Sequence, residues 1–153
     1  MPHGPALQPS FLDGSPIPAV VVITARQVYD AALHRDYAAL RALGGPKFRA
    51  GIIGDKDPIG KWEIAFANGE PDPLPRLIGL LETTPGIDTD GSIVYPYIAL
   101  KDAATWDAAD EGLLLRLGFV RADIDAARLK GKYLDERVVF DSTGAWNAFA
   151  IGA

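Results

Sequence analysis

The chain has 153 residues, of which 48% are hydrophobic and 23% are charged, and its formal net charge is −5 at pH 7. This length predicts one domain, and because there is no cysteine, thiol catalysis, iron–sulfur clusters, Cys-based zinc sites and disulfide frameworks are excluded. The negative charge argues against nucleic acid as a partner, and no apolar run approaches the roughly 18 residues of a membrane-spanning helix. We therefore expect a soluble protein that binds neither nucleic acid nor a membrane.

Prolines crowd the start of the chain, at positions 2, 5, 9, 16 and 18. Because proline fits neither a regular helix nor a central strand, residues 1–18 are predicted to form an extended arm and residues 19–153 a single domain. The arm lacks the basic and continuous apolar regions of a secretory signal. The compartment stays open, either cytoplasmic or periplasmic after processing.

Two helices are predicted after the arm. A capping-box pattern that opens at Thr24 predicts a helix over about residues 25–34. The apolar residues 20–23 form either the lead-in to this helix or, taken alone, a strand. Asp36 is the predicted N-cap of a second helix over about residues 37–43.

The next segment alternates in polarity. Phe48 and Ala50 point to one side of residues 47–53, and Lys47 and Arg49 point to the other. This period of two residues predicts a strand.

The middle of the chain combines helices with one strand. Asp57-Pro58 is typical of an N-cap followed by the first helical residue, and Asn68-Gly69 predicts the end of that helix. A shorter helix is predicted over about residues 74–81. Residues 92–100 are predicted to form a central strand, in which Pro96 implies an edge, a bulge or a break.

The C-terminal third predicts two helices and a hairpin. Glycines end the predicted helices over about residues 107–117 and 122–130, and residues 138–150 form the hairpin. Trp146 and Ala148 are predicted to share one face of the last strand, which is apolar on both faces and so should lie inside the sheet. With no regular β–α–β rhythm, we predict an α+β fold, a curved and mostly antiparallel sheet covered by several short helices.

Two stretches of the sequence match the patterns of known ligand-binding loops only in part. Residues 51–61 lack the spacing and the Ser or Thr of a phosphate-binding loop, and residues 88–92 lack the later oxygen ligands of a calcium loop. We therefore expect no nucleotide cofactor and no metal.

The first candidate site consists of Arg49, Asp55 and Asp57. A carboxylate pair beside an arginine could supply a general base, with the arginine orienting an anionic substrate. In the competing interpretation, which the sequence favours, Asp57 caps a helix and Asp55 shapes a turn.

The second candidate site is an apolar pocket with polar groups. Tyr95 and Tyr97 share a face of the predicted central strand, and Trp62 lies on the helix after Pro58. Together with Arg49 these residues would line a ligand pocket between the sheet and that helix. The same aromatic residues could equally form the core.

Three features resemble the nuclear transport factor two-like superfamily, also described as cystatin-like rolls. They are the opening helix pair, with residues 37–40 following Arg35-Asp36, the helix that starts at Pro58, and Gly144-Ala145-Trp146 where that superfamily often has Gly-x-Trp. The resemblance implies a cone-shaped α+β roll with a cavity between sheet and helices. Some members of that superfamily bind ligands there, and others catalyse proton transfers or dehydrations.

The leading hypothesis is a non-enzymatic domain that binds a small molecule or a protein partner in the pocket lined by Arg49, Trp62, Tyr95 and Tyr97. The alternative is a small isomerase, dehydratase or hydrolase with Asp55 or Asp57 as general base. A third hypothesis is a scaffold protein in which residues 1–18 dock on a neighbouring protein. The chain could also form a homo-oligomer.

Overall fold

Helices and short strands follow one another in the computed structural model, which describes residues 7–50 and 57–151. In chain order the elements are α1 Ala19–Leu33, α2 Tyr37–Leu43, β1 Gly44–Ala50, α3 Pro58–Ala67, α4 Leu74–Leu81, β2 Gly86–Ile87, β3 Ile93–Tyr95, α5 Ala108–Arg116, α6 Arg121–Lys130, β4 Glu136–Phe140 and β5 Trp146–Ile151. Two 3-10 turns, Tyr97–Leu100 and Ala103–Thr105, connect β3 to α5. The predicted α+β class is confirmed.

The strands form one curved, unclosed sheet in the order β1-β5-β4-β3-β2. The pairs β5–β4, β4–β3 and β3–β2 are antiparallel, and β1 pairs with β5 in parallel. The sheet is therefore mostly antiparallel, and the prediction that the last strand lies inside it is confirmed.

The main core lies between one face of the sheet and helices α1 to α4. Its fully buried members include Val21, Val28, Leu40, Leu77, Leu80, Val138, Phe140 and Trp146. Burial of each such side chain stabilises the fold by about 1.5–3 kcal/mol. A second, smaller core joins α5, α6 and the 3-10 turns around Ile98, Trp106 and Ile124.

The described part of the N-terminal segment lies against the main core. Ile17 is buried, Leu7 and Phe11 pack beside the core, and Ser10 and Pro16 form an antiparallel bridge. Helix α1 begins at Ala19. A separate role for residues 1–18 stays a prediction.

The predicted start of α1 at about residue 25 is wrong. The helix begins directly after Pro18, whose carbonyl accepts a hydrogen bond from the Val22 N–H at 3.1 Å. Val21 and Ala25 are buried at helical spacing, so residues 20–23 belong to the helix. Thr24 lies inside α1, where its hydroxyl donates to the Val20 carbonyl at 3.1 Å, and it does not cap the helix.

The other predicted helix starts are close to those observed. Asp36 caps α2 by accepting a hydrogen bond from the Ala39 N–H at 3.0 Å, and Asp57 caps α3 in the same way through the Gly60 N–H. The predicted strand over residues 47–53 corresponds to β1, which starts at Gly44. Residues 51–53 lie outside the described part of the chain.

The predicted strand over residues 92–100 is wrong beyond Tyr95. Strand β3 ends there because Pro96 has no N–H to donate to a neighbouring strand, and Tyr97–Leu100 form a 3-10 turn. Tyr95 and Tyr97 therefore do not share a strand face.

A β-bulge reverses one predicted side-chain direction in β5. Phe140 pairs with Trp146 and Val139 pairs with Ala148, so Asn147 has no counterpart on β4. Trp146 lies in the main core, as does Phe149, whereas Ala148 lies on the opposite face of the sheet. The prediction that Trp146 and Ala148 share a face is therefore wrong.

The turn between β4 and β5 packs closely on α1, which a glycine substitution can test. Gly144 has φ +90°, and a Cβ built there would lie 2.9 Å from the Val20 carbonyl oxygen. Gly91 has φ +86°, and a Cβ built on Gly91 would have no neighbouring atom within 4 Å. We expect Gly91→Ala to lower the free energy of unfolding by about 1–2 kcal/mol, and Gly144→Ala by at least about 1 kcal/mol more.

Urea denaturation of the two variants measures the difference. Equal losses would contradict the close contact between α1 and the turn, because both variants carry the same left-handed backbone cost.

Candidate functional site

The face of the sheet opposite the main core is open and concave. We call it the open face; it comprises Lys47, Arg49, Asp88, Asp90, Ser92, Val94, Arg137, Val139, Asn147 and Ala148. These residues surround a concavity of about 520 Å³.

One row of paired residues crosses the open face. Arg49 pairs with Ala148, Ala148 with Val139, and Val139 with Val94, so the four residues cross β1, β5, β4 and β3 in register. Val94 is 2% exposed and Ala148 6%, although neither belongs to either core. Ala148, Val139 and Val94 therefore form an apolar floor, which lies below a rim of longer side chains.

The cations of β1 stand at one end of this row. Lys47 and Arg49 are both exposed, and neither has an ion-pair partner among residues 7–50 and 57–151. Phe48 and Ala50 point the other way, toward the core, which confirms the predicted alternation. Two positive charges on β1 are thus available to a ligand on the open face.

Arg137 is the third cation of the open face and is half-buried. Its Nη2 donates to the Tyr133 carbonyl at 3.3 Å, and its guanidinium carbon lies 5.4 Å from the centre of the Tyr133 ring. Burial lowers the pKa of Arg137, while the negative charge of Asp88 opposes that shift. The buried Nε has no hydrogen-bond partner within the described chain.

The acidic groups of the open face lie in the turn between β2 and β3. Asp88 accepts a hydrogen bond from the Thr89 N–H at 2.7 Å, and Asp90 accepts one from the Ser92 N–H at 2.9 Å. The bonds from Ser92 lower the pKa of Asp90. Both carboxylates therefore stabilise the turn between β2 and β3.

The four pocket residues predicted from the sequence are not brought together. Trp62 is buried against Phe149, with ring centres 5.7 Å apart, and Tyr95 is buried against Phe140 at 6.0 Å. Burial raises the pKa of Tyr95 to about 12. These aromatic rings occupy the core side of the sheet, and Arg49 lies on the open face.

Tyr97, the fourth of these residues, belongs to a buried polar cluster that the sequence did not indicate. The Asp110 carboxylate accepts hydrogen bonds from the Tyr97 hydroxyl at 2.6 Å, the Lys101 ammonium at 2.5 Å and the Asp107 N–H at 3.1 Å. Asp110 is 2% exposed. Burial alone would raise its pKa, but the bonds from Lys101 and Tyr97 outweigh burial and hold the pKa below its usual value.

Asp57 has the features of a helix cap. It is exposed, its Oδ1 accepts from the Gly60 N–H at 3.0 Å, and the Arg41 Nε donates to the same oxygen at 3.2 Å. The hydrogen bond from Arg41, followed by that from Gly60, lowers the pKa of Asp57. Asp55, the other predicted carboxylate, lies outside the described residues.

Further concavities lie elsewhere on the described part of the chain. A groove of about 470 Å³ separates α1 from α2, and one of about 300 Å³ lies beside Phe11 and Ile87. Within residues 7–50 and 57–151, no three His, Asp or Glu side chains are close enough to hold a metal ion. In the same ranges no helix combines the length and the apolar character needed to cross a membrane.

The capping interpretation of Asp57 can be tested by two substitutions. We expect Asp57→Ala to lower the midpoint of thermal unfolding, because the Gly60 N–H loses its acceptor. Asp57→Asn should lower the midpoint much less, since an amide oxygen can also cap the helix. Circular dichroism during heating measures both. Equal losses in the two variants would show that the ion pair with Arg41, and not the cap, is what matters.

The buried Asp110 carboxylate predicts an acid-sensitive fold. Its folded-state pKa lies below the unfolded value, so its stabilising effect is fully present above that unfolded pKa, about 3.8, and is lost as the pH falls through the folded pKa. We expect Asp110→Asn to lower the free energy of unfolding by about 3 kcal/mol at pH 7, and the difference from the unsubstituted protein to shrink below about pH 4.

Chemical denaturation between pH 7 and pH 2 measures this dependence. Asp102→Asn is the control, because Asp102 is exposed and uses its oxygen only to accept from the Ala104 N–H. A loss in Asp110→Asn that is independent of pH would contradict the role of the carboxylate charge.

Comparison with known proteins leaves the site to be interpreted from its own geometry. No protein-family model matches the chain, and no curated protein or solved structure matches it significantly. The resemblance to the nuclear transport factor two-like superfamily therefore stays a prediction.

Proposed function

We propose that this protein is a binding protein that holds a small molecule on the open face of its sheet. The observation that carries the proposal is the register row from Arg49 to Val94, with an apolar floor beneath a charged rim. The concavity of about 520 Å³ is of the size that small-molecule sites have, roughly 300–1,000 Å³. Such sites combine an apolar surface with a few convergent polar groups.

The open face supports this role better than the groove between α1 and α2. That groove, of about 470 Å³, is more open to solvent, and its His34 Nδ1 is already engaged with the Asp30 carbonyl at 2.8 Å. On the open face, Lys47 and Arg49 keep their charges free of ion pairs with other described residues. Unpaired cations next to an apolar floor can contact a ligand without breaking an existing interaction.

Two carboxylates, the predicted base Asp57 and the open-face Asp90, are poorly suited to proton transfer. A general base works best when its pKa lies near the operating pH. Hydrogen bonds lower the pKa of Asp57 and also that of Asp90, so each is a weaker base than an ordinary aspartate. Asp57 also lies outside the open face.

Filling the floor tests the proposal. Anilinonaphthalene sulfonate, whose fluorescence rises in apolar sites, is the probe. We expect saturable binding that Ala148→Phe weakens about tenfold or more, because the added ring occupies the space above the floor. Ala42→Phe is the matched control: Ala42 is exposed in the groove between α1 and α2, so the same change fills a different concavity.

A second measurement keeps the test decisive if Ala148→Phe does not fold. Titration of the unsubstituted protein with the same probe, followed by amide NMR shifts, should move the signals of Val94, Val139 and Ala148 most. Loss of binding in Ala42→Phe with retention in Ala148→Phe, or shifts confined to α1 and α2, would overturn the proposal.

A further inference from the structure

The charge of the open face differs in sign from that of the whole chain. Three cationic side chains and two carboxylates line it, whereas the net charge of the protein is −5. The carboxylates of Asp88 and Asp90 accept hydrogen bonds from backbone N–H groups of their own turn. These bonds hold the two carboxylates in the turn, and with three cations against two carboxylates the open face has a formal charge of +1.

The strand register places the two arginines around one small residue. On one side of β5, Ala148 pairs with Arg49 of β1. On the other side β5 pairs with β4, where Arg137 is the partner of Ala150. Neighbouring strands are about 4.8 Å apart and next-but-one residues about 6.7 Å apart, so the Cα of Ala148 lies within about 5–8 Å of both arginine Cα positions. Both guanidinium groups can reach a group seated above the Ala148 methyl.

Arg137 also has a donor that the protein leaves unused. Its Nη2 is bound to the Tyr133 carbonyl, but its buried Nε has no acceptor among the described residues. A buried polar atom without a partner is uncommon in folded proteins and is costly. The Nε itself is buried, so a ligand would contact Arg137 through the part of its guanidinium that lines the concavity.

The remainder of the floor is aliphatic. Val94 and Val139 continue the row beyond Ala148 toward the edge of the sheet, and both side chains are aliphatic. Burying apolar ligand surface on them is favourable by about 25 cal/mol per Å². The site thus has cations at its β1 end and on β4, beside an apolar floor.

We propose that the ligand of the open face is a small amphiphilic oxyanion, with its head group held by Lys47, Arg49 and Arg137 and its apolar body lying on Val94 and Val139. The inference rests on the proposed function, because it names the chemical class bound at the same site. Guanidinium groups match the planar and tetrahedral geometry of carboxylates and phosphates, which both belong to this class.

Matched ligands test the head group. Hexanoate, hexanamide, hexyl phosphate and inorganic phosphate are titrated into the full chain, and binding is followed by the amide NMR signals of Val94, Val139 and Ala148. We expect hexanoate or hexyl phosphate to bind at least about tenfold more tightly than hexanamide, since hydrogen bonds to charged groups are the stronger ones. The tighter of the two identifies the head group as carboxylate or phosphate.

Arginine substitutions locate that head group. Arg49→Gln and Arg137→Gln should each weaken the tighter anion about tenfold. Arg116→Gln makes the same charge change on an exposed residue of α5 and should change binding less than about twofold. Arg49 is exposed, so its variant tests the proposal even if the half-buried Arg137 cannot be replaced.

The outcomes separate this inference from the proposed function. Hexanamide binding as tightly as the anions, at the same amides, would overturn the oxyanion and leave the binding site standing. Inorganic phosphate binding as tightly as hexyl phosphate would overturn the apolar body. Equal effects of Arg49→Gln and Arg116→Gln would overturn the placement, and no binding of any of the four compounds would overturn both proposals.

Discussion

The pairing of β5 with a neighbour on each side is the constraint on which the rest of the structure depends. Because β5 is the shared partner of β1 and β4, its side chains must alternate between the core and the open face. The bulge at Asn147 changes that alternation once, so that Trp146 and Phe149 both enter the core. Ala148 is then directed to the open face, next to Arg49, and its small size leaves the concavity above it.

The two faces of the sheet consequently differ in chemistry. On the core side, α1 to α4 close over aromatic and aliphatic groups, among them Trp62 and Tyr95. The open face keeps its cations in contact with solvent beside an apolar floor. The Asp110 cluster belongs to the second core, where a buried carboxylate is balanced by Lys101 and Tyr97. It therefore stabilises the fold at a distance from the open face.

Local chemistry accounts for the features that could be predicted. Asp36 and Asp57 are caps because a short side-chain oxygen before a helix reaches backbone N–H groups only two or three residues away. The alternation around Arg49 needs only the period of a strand. Local signals gave wrong predictions where two of them competed. The capping pattern at Thr24 predicted too late a helix start, because burial of Val21 extends α1 toward the N-terminus. The apolar run through Pro96 predicted too long a strand, because proline has no N–H to donate.

The sequence by itself determined the α+β class, most helix boundaries and the outward direction of Lys47 and Arg49, since these depend on neighbours within a few residues. Only the tertiary structure decided that Arg49, Ala148, Val139 and Val94 form one row. These residues are far apart along the chain, and their adjacency comes from strand order and register, which hydrogen bonds between distant segments set. For the same reason, the sequence could not show that Trp62 and Tyr95 pack into the core while the charged face stays open.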